Sequence, residues 1–553
     1  MDIFKNTTPV PGMKTGGLGH QIKGLELSAG KWNFAYLAEQ GTGKTWMTIA
    51  DIVRAYLKGR INAVLVLAPK GVHTNWVIRE IPTHADIPVL MRVWQGNPSS
   101  KKARKRLDEL YADHYEGQGP LRVFAVNIDA VNFAAGHDEV TRFLEAFPNC
   151  MMVVDESSRI KSPDAARTKK IVKLGRKAMA RRILSGTPLT KNPADLFMQY
   201  QFLKPGLLGI SSYRAFVAEF TVLIPSDDRR MVALMKKTGA RVAPQLAETD
   251  PVTGLPMFKN LDRLISLISP HSYRITKEEA LPFLPPKMYK RVYFELTTEQ
   301  RKIYNLIRDD YEFARMTPDY TNEEYFSFEA IAARSKLKQV TSGFISLYGV
   351  PELLGIERNP RMQAFKSLVA DLMDDDPSRS IIVWAEYQQE IEMAAQIIAD
   401  MQIGCRIYNG KTHKNDREEI IDGFQRGDFP VFIGNPAAGG IGITLTRADT
   451  TIYLSTSENA ELRLQSEDRN HRIGTVKTVV YYDLHAEDSV DDDVFKNVEH
   501  KKKLMDYVVN GVMRLRNERD EEGAELETQQ VPEIPEYERL GVSPHNLTLE
   551  SKQ

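Results

Sequence analysis

The 553-residue sequence is poor in cysteine and has no excess of charge of either sign. Its two cysteines, Cys150 and Cys405, have no CxxC partners, which argues against a zinc site or a disulfide framework and fits a reducing compartment. Lysine and arginine number 73, as do aspartate and glutamate, so no net field draws the chain to nucleic acid or to acidic membranes. Contacts with nucleic acid would have to come from local patches.

Long apolar runs are also absent. The start of the chain has no apolar run of signal-peptide length, and no stretch approaches the length of a membrane span. Hydrophobic residues make up 42% of the chain and charged residues 26%, which is ordinary for a globular protein with a sizeable core. We therefore expect a cytoplasmic protein of roughly three or four domain-sized units, with no membrane partner.

The first third of the chain alternates short apolar runs with helical patterns, which indicates βαβ units and a parallel sheet. The clearest predicted strands are 61–67, 121–126 and 151–154. Strands resume later, so a second α/β lobe is predicted, with strands at 289–296, 380–384, 405–408, 430–433, 451–454 and 478–482. Ligands of such sheets bind beyond the carboxyl ends of the strands, so the loops that follow the strands are the first place to look for a site.

Five units follow from this alternation. Residues 1–206 are predicted to form the first lobe and residues 374–515 the second. Between them we predict a mainly helical insertion at 207–286, then a helical protrusion with the start of the second lobe at 287–373. Residues 516–553 are acidic and contain few apolar residues, so a disordered tail is predicted there.

A glycine loop joins a strand to a helix near the start of the chain. Gly41-Thr42-Gly43-Lys44-Thr45 follows the apolar run 35–38 and precedes the helical stretch 46–58. Glycines let backbone N–H groups surround phosphate oxygens, the lysine reaches the β- and γ-phosphates, and the hydroxyl of Thr45 ligates Mg²⁺. A chance occurrence of these letters is the alternative, and the flanking strand and helix count against it.

An acidic pair, Asp155-Glu156, ends the predicted strand 151–154. One carboxylate beyond such a strand holds Mg²⁺ through water, which fits Asp155, and the second polarises the water that attacks the γ-phosphate, which fits Glu156. An ordinary acidic loop is the alternative for the pair alone. It leaves unexplained why the pair accompanies a phosphate loop.

The segment Ser157-Ser158-Arg159-Ile160-Lys161-Ser162 after this pair resembles the Swi/Snf version of the DEAD/DEAH box of helicase superfamily two, except that Ser158 stands where histidine is usual. Ser185-Gly186-Thr187-Pro188-Leu189 resembles the third motif of that family, which couples the ATP state to the grip on nucleic acid. The resemblance implies two RecA-like P-loop lobes, ATP and Mg²⁺ as cofactors, and DNA as the partner.

Further segments are similar to motifs of the same family. Gln21 matches the glutamine that recognises adenine, Pro69 and Trp76 fall in the first DNA-contacting motif, and Asn127 falls where another nucleic-acid motif is expected. By this resemblance Ser185 and Thr187 are candidates for coupling.

Two arginines of the predicted second lobe are candidates for the ATP site. The segment from Gln465 to Gly474 resembles the sixth motif, which makes Arg469 and Arg472 the arginine-finger candidates and Gln465 a coupling residue. Positive charge from the opposing lobe is needed because the transition state spreads negative charge over the phosphoryl oxygens. Gly439 and Gly440 lie in a stretch similar to the fifth motif, where glycines let a DNA backbone approach main-chain amides.

The order of these motifs predicts a DNA-dependent ATP hydrolase that acts as a translocase on double-stranded or forked DNA, in replication, recombination or repair, with a compact bacterial or phage protein as the expected type. It would work in the prokaryotic nucleoid or in a phage-infected cell. A strand-separating or fork-remodelling helicase is the alternative within this class. A non-catalytic, nucleotide-regulated DNA-binding scaffold is the alternative outside it, and the intact phosphate loop, acidic pair and arginines count against it.

Overall fold

The computed structural model describes most of the chain. The described residues are 7–98, 100–112, 119–190, 192–238, 243–250, 256–316, 333–345, 352–439, 443–457, 459–492, 494, 498–499, 503–512 and 514. The acidic tail 516–553 and Gly440 lie outside them, so the predictions for these residues are not addressed by the structure.

The first lobe is built on a parallel sheet of seven strands, in the order β3-β4-β2-β5-β6-β1-β7. Alternate residues of β2 enter opposite cores: Leu65 and Leu67 pack on one face of the sheet, Val64 and Val66 on the other. Such continuous apolar strands are typical of a parallel sheet covered on both faces. The strands are β1 (Asn33–Tyr36), β2 (Ala63–Ala68), β3 (Val89–Val93), β4 (Leu121–Asn127), β5 (Cys150–Asp155), β6 (Ala180–Leu184) and β7 (Ser272–Tyr273).

Helices cover both faces of this sheet because each buries an apolar stripe against it. The helix after β1 buries Met47, Ile49 and Val53, among others. The helices of this lobe are Gly19–Leu27, Lys44–Leu57, Val72–Asn75, Ile81–His84, Lys101–Asp108, Ala134–Ala146, Ala166–Gly175 and Asp195–Leu203.

The segment predicted as an insertion is helical in its described part, but it returns to the first sheet. Its helices are Tyr213–Phe220, Arg229–Thr238, Leu261–Ile268 and Lys277–Ala280. Strand β7 pairs in parallel with β1 and forms one edge of the first sheet. This part of 207–286 therefore belongs to the first lobe.

The second lobe contains a parallel sheet of six strands, in the order β12-β13-β11-β14-β15-β8. Its strands are β8 (Lys287–Phe294), β11 (Ile381–Trp384), β12 (Cys405–Tyr408), β13 (Val431–Gly434), β14 (Thr450–Tyr453) and β15 (Val479–Ala486). A two-stranded antiparallel ribbon, made of β9 (Phe344–Ile345) and β10 (Glu352–Leu353), lies between β8 and β11 in the chain. The helices are Thr298–Met316, 333–341, Pro360–Asp375, Gln388–Asp400, Lys414–Arg426, Pro436–Gly439 and Ala460–Glu467. The prediction of two parallel-sheet α/β lobes is confirmed.

A helix at 503–512 leaves the second lobe and packs on the first. Val508 and Val509 are fully buried in the same core as Ile265 and Ile268. Gly511 allows this approach, since a Cβ atom added there would lie 2.4 Å from a side-chain carbon of Ile265. The predicted boundary of the second lobe at 515 differs from the structure here, because sequence order does not show that the chain crosses back.

Within the described ranges, no helix combines the length and apolar character needed to cross a membrane.

Candidate active site

The loop 41–45 has the backbone that its glycines predict. Gly41 and Gly43 have φ values of 82° and 90°, the left-handed region that glycine enters without steric cost. The helix Lys44–Leu57 begins directly after Gly43, so its unpaired N–H groups and its positive dipole end lie at the loop. This is the arrangement that binds phosphate in many nucleotide sites.

Lys44 is half-buried beside the acidic pair. Its Nζ donates to the carbonyl oxygen of Glu39 at 3.2 Å. Burial lowers the pKa of Lys44, while the charges of Glu156 and Asp155 act in the opposite direction. The sequence-predicted lysine and carboxylates, more than 100 positions apart in the chain, therefore share one site.

Gln21 braces the loop in this structure. Its Nε2 donates to the carbonyl oxygen of Thr42 at 3.3 Å, and its Oε1 accepts from the N–H of Leu18 at 2.9 Å. A Cβ atom added at Gly43 would lie 2.0 Å from Gln21 Nε2, so this contact also requires glycine. The His20 ring lies 2.8 Å from the same Thr42 oxygen. Adenine recognition by Gln21 stays a prediction.

Asp155 is held at the end of β5 by two donors. Its Oδ2 accepts from the indole Nε1 of Trp76 at 2.9 Å, and its Oδ1 accepts from the backbone N–H of Glu156 at 2.9 Å. Burial raises the pKa of Asp155, and the hydrogen bond from Trp76 and the charge of Lys44 lower it.

Glu156 has a different environment from its neighbour. Its φ of 51° lies in the left-handed region, which is uncommon for a non-glycine residue and typical of functional sites. Gln40 Nε2 donates to its Oε1 at 3.3 Å, whereas its buried Oε2 has no hydrogen-bond partner among the described residues. Burial, followed by the charge of Asp155, raises the pKa of Glu156 to about 7. Such a carboxylate suits a general base.

Trp76, a candidate for coupling or DNA contact, is buried in this structure, and its role stays a prediction. Only 1% of its surface is exposed, and its indole donates to Asp155. It begins a short π-helical segment, Trp76–Glu80, a distortion often found at functional sites. The motif resemblance located the segment but not the direction of the side chain.

Most other candidates for DNA contact or coupling are also buried. Ser185 is fully buried and its Oγ accepts from the N–H of Thr187 at 3.1 Å. Asn127 caps a 3₁₀ turn by accepting from the N–H of Asp129. Pro69 is buried, Gln465 is buried beside Glu461, and Gly439 ends the short helix Pro436–Gly439. Coupling or DNA contact by these residues stays a prediction.

The arginines of the second lobe face the first lobe. Burial lowers the pKa of Arg469 to about 10, and the charge of Glu156 acts on it in the opposite direction. Arg472 lies against the phosphate loop, with its Cβ 3.7 Å from the position that a Cβ atom on Gly41 would occupy. Its guanidinium donates to Thr444 Oγ1 at 2.9 Å. The structure therefore places both predicted arginines at the interface with the phosphate loop and the acidic pair.

Lys277, between the lobes, joins them through buried contacts. Its Nζ forms an ion pair with Asp468 and donates to the carbonyl oxygen of His471 at 2.8 Å. Its backbone N–H donates to Glu39 Oε2 at 2.8 Å, while Arg274 pairs with Glu39 Oε1 at 2.9 Å. One short segment therefore connects Glu39, just before the phosphate loop, with the arginine segment.

Two protein-family models match this chain. The model of the SNF2-related domain matches residues 20–342, more than half of the chain, and that of the helicase conserved C-terminal domain matches residues 362–474. The chain belongs to the SNF2-related domain family.

Curated relatives of this SNF2-related chain are similar over most of its length. An uncharacterized ATP-dependent helicase of Mycoplasma pneumoniae is 24% identical over 488 residues, 88% of this chain and 41% of the relative. ATP-dependent helicase FUN30 of Saccharomyces cerevisiae is 24% identical over 538 residues, 85% of this chain and 44% of the relative. The chain thus spans less than half the length of these relatives. A solved Sulfolobus solfataricus SWI2/SNF2 ATPase core in complex with dsDNA matches at 22% identity and a TM-score of 0.37, covering 91% of this chain and 94% of that one.

Several residues of this SNF2-related site were not found by sequence reasoning. Arg274, Lys277 and Glu461 carry contacts at the lobe interface, yet in sequence each reads as an ordinary charged residue. Lys277 lies four residues after the end of β7, a strand that the sequence analysis did not predict.

Proposed function

We propose that this chain is a DNA-dependent ATP hydrolase that translocates along DNA. The observation that carries the proposal is the meeting of two sets of residues from different lobes. Lys44, Asp155 and Glu156 belong to the first lobe, and the charge of Arg469 and the position of Arg472 reach them from the second. A site completed across two lobes opens and closes as the lobes move, which links turnover to movement.

The chemistry follows from the roles of the groups present. The loop N–H groups and Lys44 bind the β- and γ-phosphates. Glu156, whose Oε2 accepts no hydrogen bond from the described residues and whose pKa is raised, orients and polarises the attacking water. Arg469 and Arg472 stabilise the charge that develops on the phosphoryl oxygens.

Mg²⁺ fits the residues at this site. The carboxylate of Asp155 and the hydroxyl of Thr45 are hard oxygen donors of the kind that Mg²⁺ prefers beside phosphates. When bound, the ion neutralises charge on the β- and γ-phosphates. The hydrogen bond from Trp76 holds the Asp155 carboxylate in one orientation, so the carboxylate would not lose conformational freedom on binding the metal.

DNA is proposed as the substrate on the basis of the family and of the relatives' names. The solved relative is described in complex with dsDNA, and the curated relatives are named ATP-dependent helicases. We propose that closure on ATP and reopening after hydrolysis move the lobes along one strand by contacts with its phosphates, which carry no sequence information. Replication, recombination or repair is the proposed setting.

ATP turnover titrated with duplex DNA, single-stranded DNA, forked DNA and RNA tests the proposal. We expect stimulation by DNA, strongest with duplex or fork. Stimulation by RNA alone would overturn the DNA assignment, and binding of ATP and DNA without turnover would establish the scaffold alternative. Strand-displacement and annealing assays on forks separate translocation from strand separation and fork remodelling.

A further inference from the structure

Ser158 lies at the interface between the lobes, two residues after Glu156. It is 3% exposed and belongs to the 3₁₀ turn Ser157–Ile160. Its Oγ donates to Oε1 of Glu461 at 2.9 Å. Glu461 is the second residue of the helix Ala460–Glu467 in the second lobe, so this hydrogen bond joins the acidic segment of one lobe to the arginine segment of the other.

The same carboxylate oxygen has a second donor. Gln465 Nε2 donates to Glu461 Oε1 at 3.2 Å from one turn further along the helix. Hydrogen bonds to a charged acceptor are stronger than neutral ones, and Glu461 is partly shielded from water. Ser158 and Gln465 are thus joined through one shared oxygen.

The short side chain of Ser158 explains why Glu461 lies between Ser158 and Gln465. A serine hydroxyl ends one bond beyond Cβ, so a contact across the interface requires a longer side chain from the opposite lobe. Glu461 supplies this length together with two acceptor oxygens. Because the hydrogen bond exists only while the two helical segments are adjacent, it favours the closed arrangement of the lobes over an open one.

We propose that Glu461 is a positioning residue that couples the two lobes, through Ser158 on one side and Gln465 on the other, and so makes ATP binding and DNA binding depend on each other. The proposal rests on the proposed function. A coupling free energy of this kind is reciprocal, so nucleotide changes the affinity for DNA by the same factor by which DNA changes the affinity for nucleotide.

The coupling factor is measured as the ratio of duplex DNA Kd values without and with a non-hydrolysable ATP analogue. We expect Ser158→Ala and Glu461→Ala each to reduce this ratio by about five- to tenfold, within the usual range of allosteric coupling. The double variant should lose no more than either single variant, since both remove one shared hydrogen bond. Glu461→Gln keeps an oxygen acceptor and should retain most of the coupling. Glu357→Ala, at an exposed glutamate of the second lobe, is the matched control.

Additive losses in the double variant would overturn the proposal, as would an unchanged ratio in Glu461→Ala, or a wild-type ratio of one. Thermal unfolding of each variant shows whether the fold is retained, and Glu461→Gln provides a second variant if Glu461→Ala fails to fold. Failure of the proposed function has a different signature: the wild-type chain would not hydrolyse ATP with any nucleic acid. Additive losses in an active enzyme reject the coupling role of Glu461 alone.

Discussion

Asp155 and Glu156 are neighbours in the chain, yet their carboxylates have different surroundings. Both oxygens of Asp155 accept hydrogen bonds, from Trp76 and from the backbone. One oxygen of Glu156 accepts from Gln40, and the other is buried without a partner among the described residues. The two carboxylates therefore differ in their hydrogen bonds, which supports the metal-binding role proposed for Asp155 and the water-activating role proposed for Glu156.

Substitution of either Lys44 or Arg472 should nearly abolish DNA-stimulated ATP hydrolysis. Lys44→Ala removes the positive charge at the phosphate loop. Arg472→Ala removes a positive charge that would reach the transition state from the second lobe. We expect kcat to fall by about a thousandfold or more in Arg472→Ala, with a similar loss in Lys44→Ala. Steady-state ATPase assays with saturating DNA measure this loss, and circular dichroism checks the fold.

Exposed basic residues provide the matched controls for these variants. Lys58, just beyond the helix that begins at Lys44, and Arg426 are both exposed. Lys58→Ala and Arg426→Ala should retain wild-type turnover. Unaltered turnover in Lys44→Ala or Arg472→Ala would contradict the assignment of the site.

Trp76→Phe tests whether this indole acts on the metal site. The substitution keeps an aromatic side chain but removes the donor to Asp155, and an unsatisfied buried acceptor costs about 1–3 kcal/mol. We expect a higher Mg²⁺ concentration for half-maximal turnover and an unchanged Kd for DNA. An unchanged Mg²⁺ requirement together with weaker DNA binding would instead support the original prediction of a DNA contact.

At the scale of secondary-structure elements, the helix 503–512 has a role that its position in the chain does not show. It follows the second lobe but adds Val508, Val509 and Val512 to the core of the first. Asn510 accepts a hydrogen bond from Arg274 at 2.9 Å, which ties the helix to the same network as Glu39. Within the described residues, the chain therefore crosses between the lobes both before the second lobe and after it.

Val508→Ala and Val509→Ala should each destabilise the first lobe by about 1–3 kcal/mol, because truncation of a fully buried side chain leaves a cavity. Denaturant unfolding measures the free energy of unfolding. Lys503→Ala, at an exposed position of the same helix, is the control. An equal and negligible effect of all three variants would show that the helix does not dock on the first lobe in solution.

At the scale of the whole molecule, the segment around Lys277 connects the two halves of the site. Lys277 is 6% exposed and pairs with Asp468. Burial lowers the pKa of Lys277, and the charge of Asp468 acts in the opposite direction. A buried lysine that loses its partner is strongly disfavoured, so this pair favours the arrangement in which the arginine segment lies against the first lobe.

Lys277→Met keeps the length of the side chain and removes its charge. We expect kcat for DNA-stimulated hydrolysis to fall about tenfold with little change in the KM for ATP, because the substitution disturbs the position of the arginines rather than the phosphate loop. Steady-state kinetics over a range of ATP concentrations measures both constants. A raised KM at constant kcat would place the effect on nucleotide binding instead.

Much of the site could be predicted because its signals are local. The glycines at 41 and 43 specify a left-handed loop, and the apolar runs before Lys44 and Asp155 specify strands whose carboxyl ends meet at one edge of a sheet. The helix Leu261–Ile268 likewise follows from its own spacing of apolar residues. The contact between Trp76 and Asp155 could not be predicted, because the resemblance gave only the position of Trp76 in a motif and its partner is 79 positions away.

The sequence by itself determined the two α/β lobes, the phosphate loop and the acidic pair, because each depends on residue type and on spacing within a few turns of chain, and the resemblance to the Swi/Snf motifs located the two arginines. The tertiary structure alone decided the burial of Trp76, the return of the helix 503–512 to the first lobe, and the contacts of Lys277 and Glu461 between the lobes. These contacts join residues up to 303 positions apart. A charged side chain becomes a link rather than a solvated group only when folding brings its partner to it and removes the water between them.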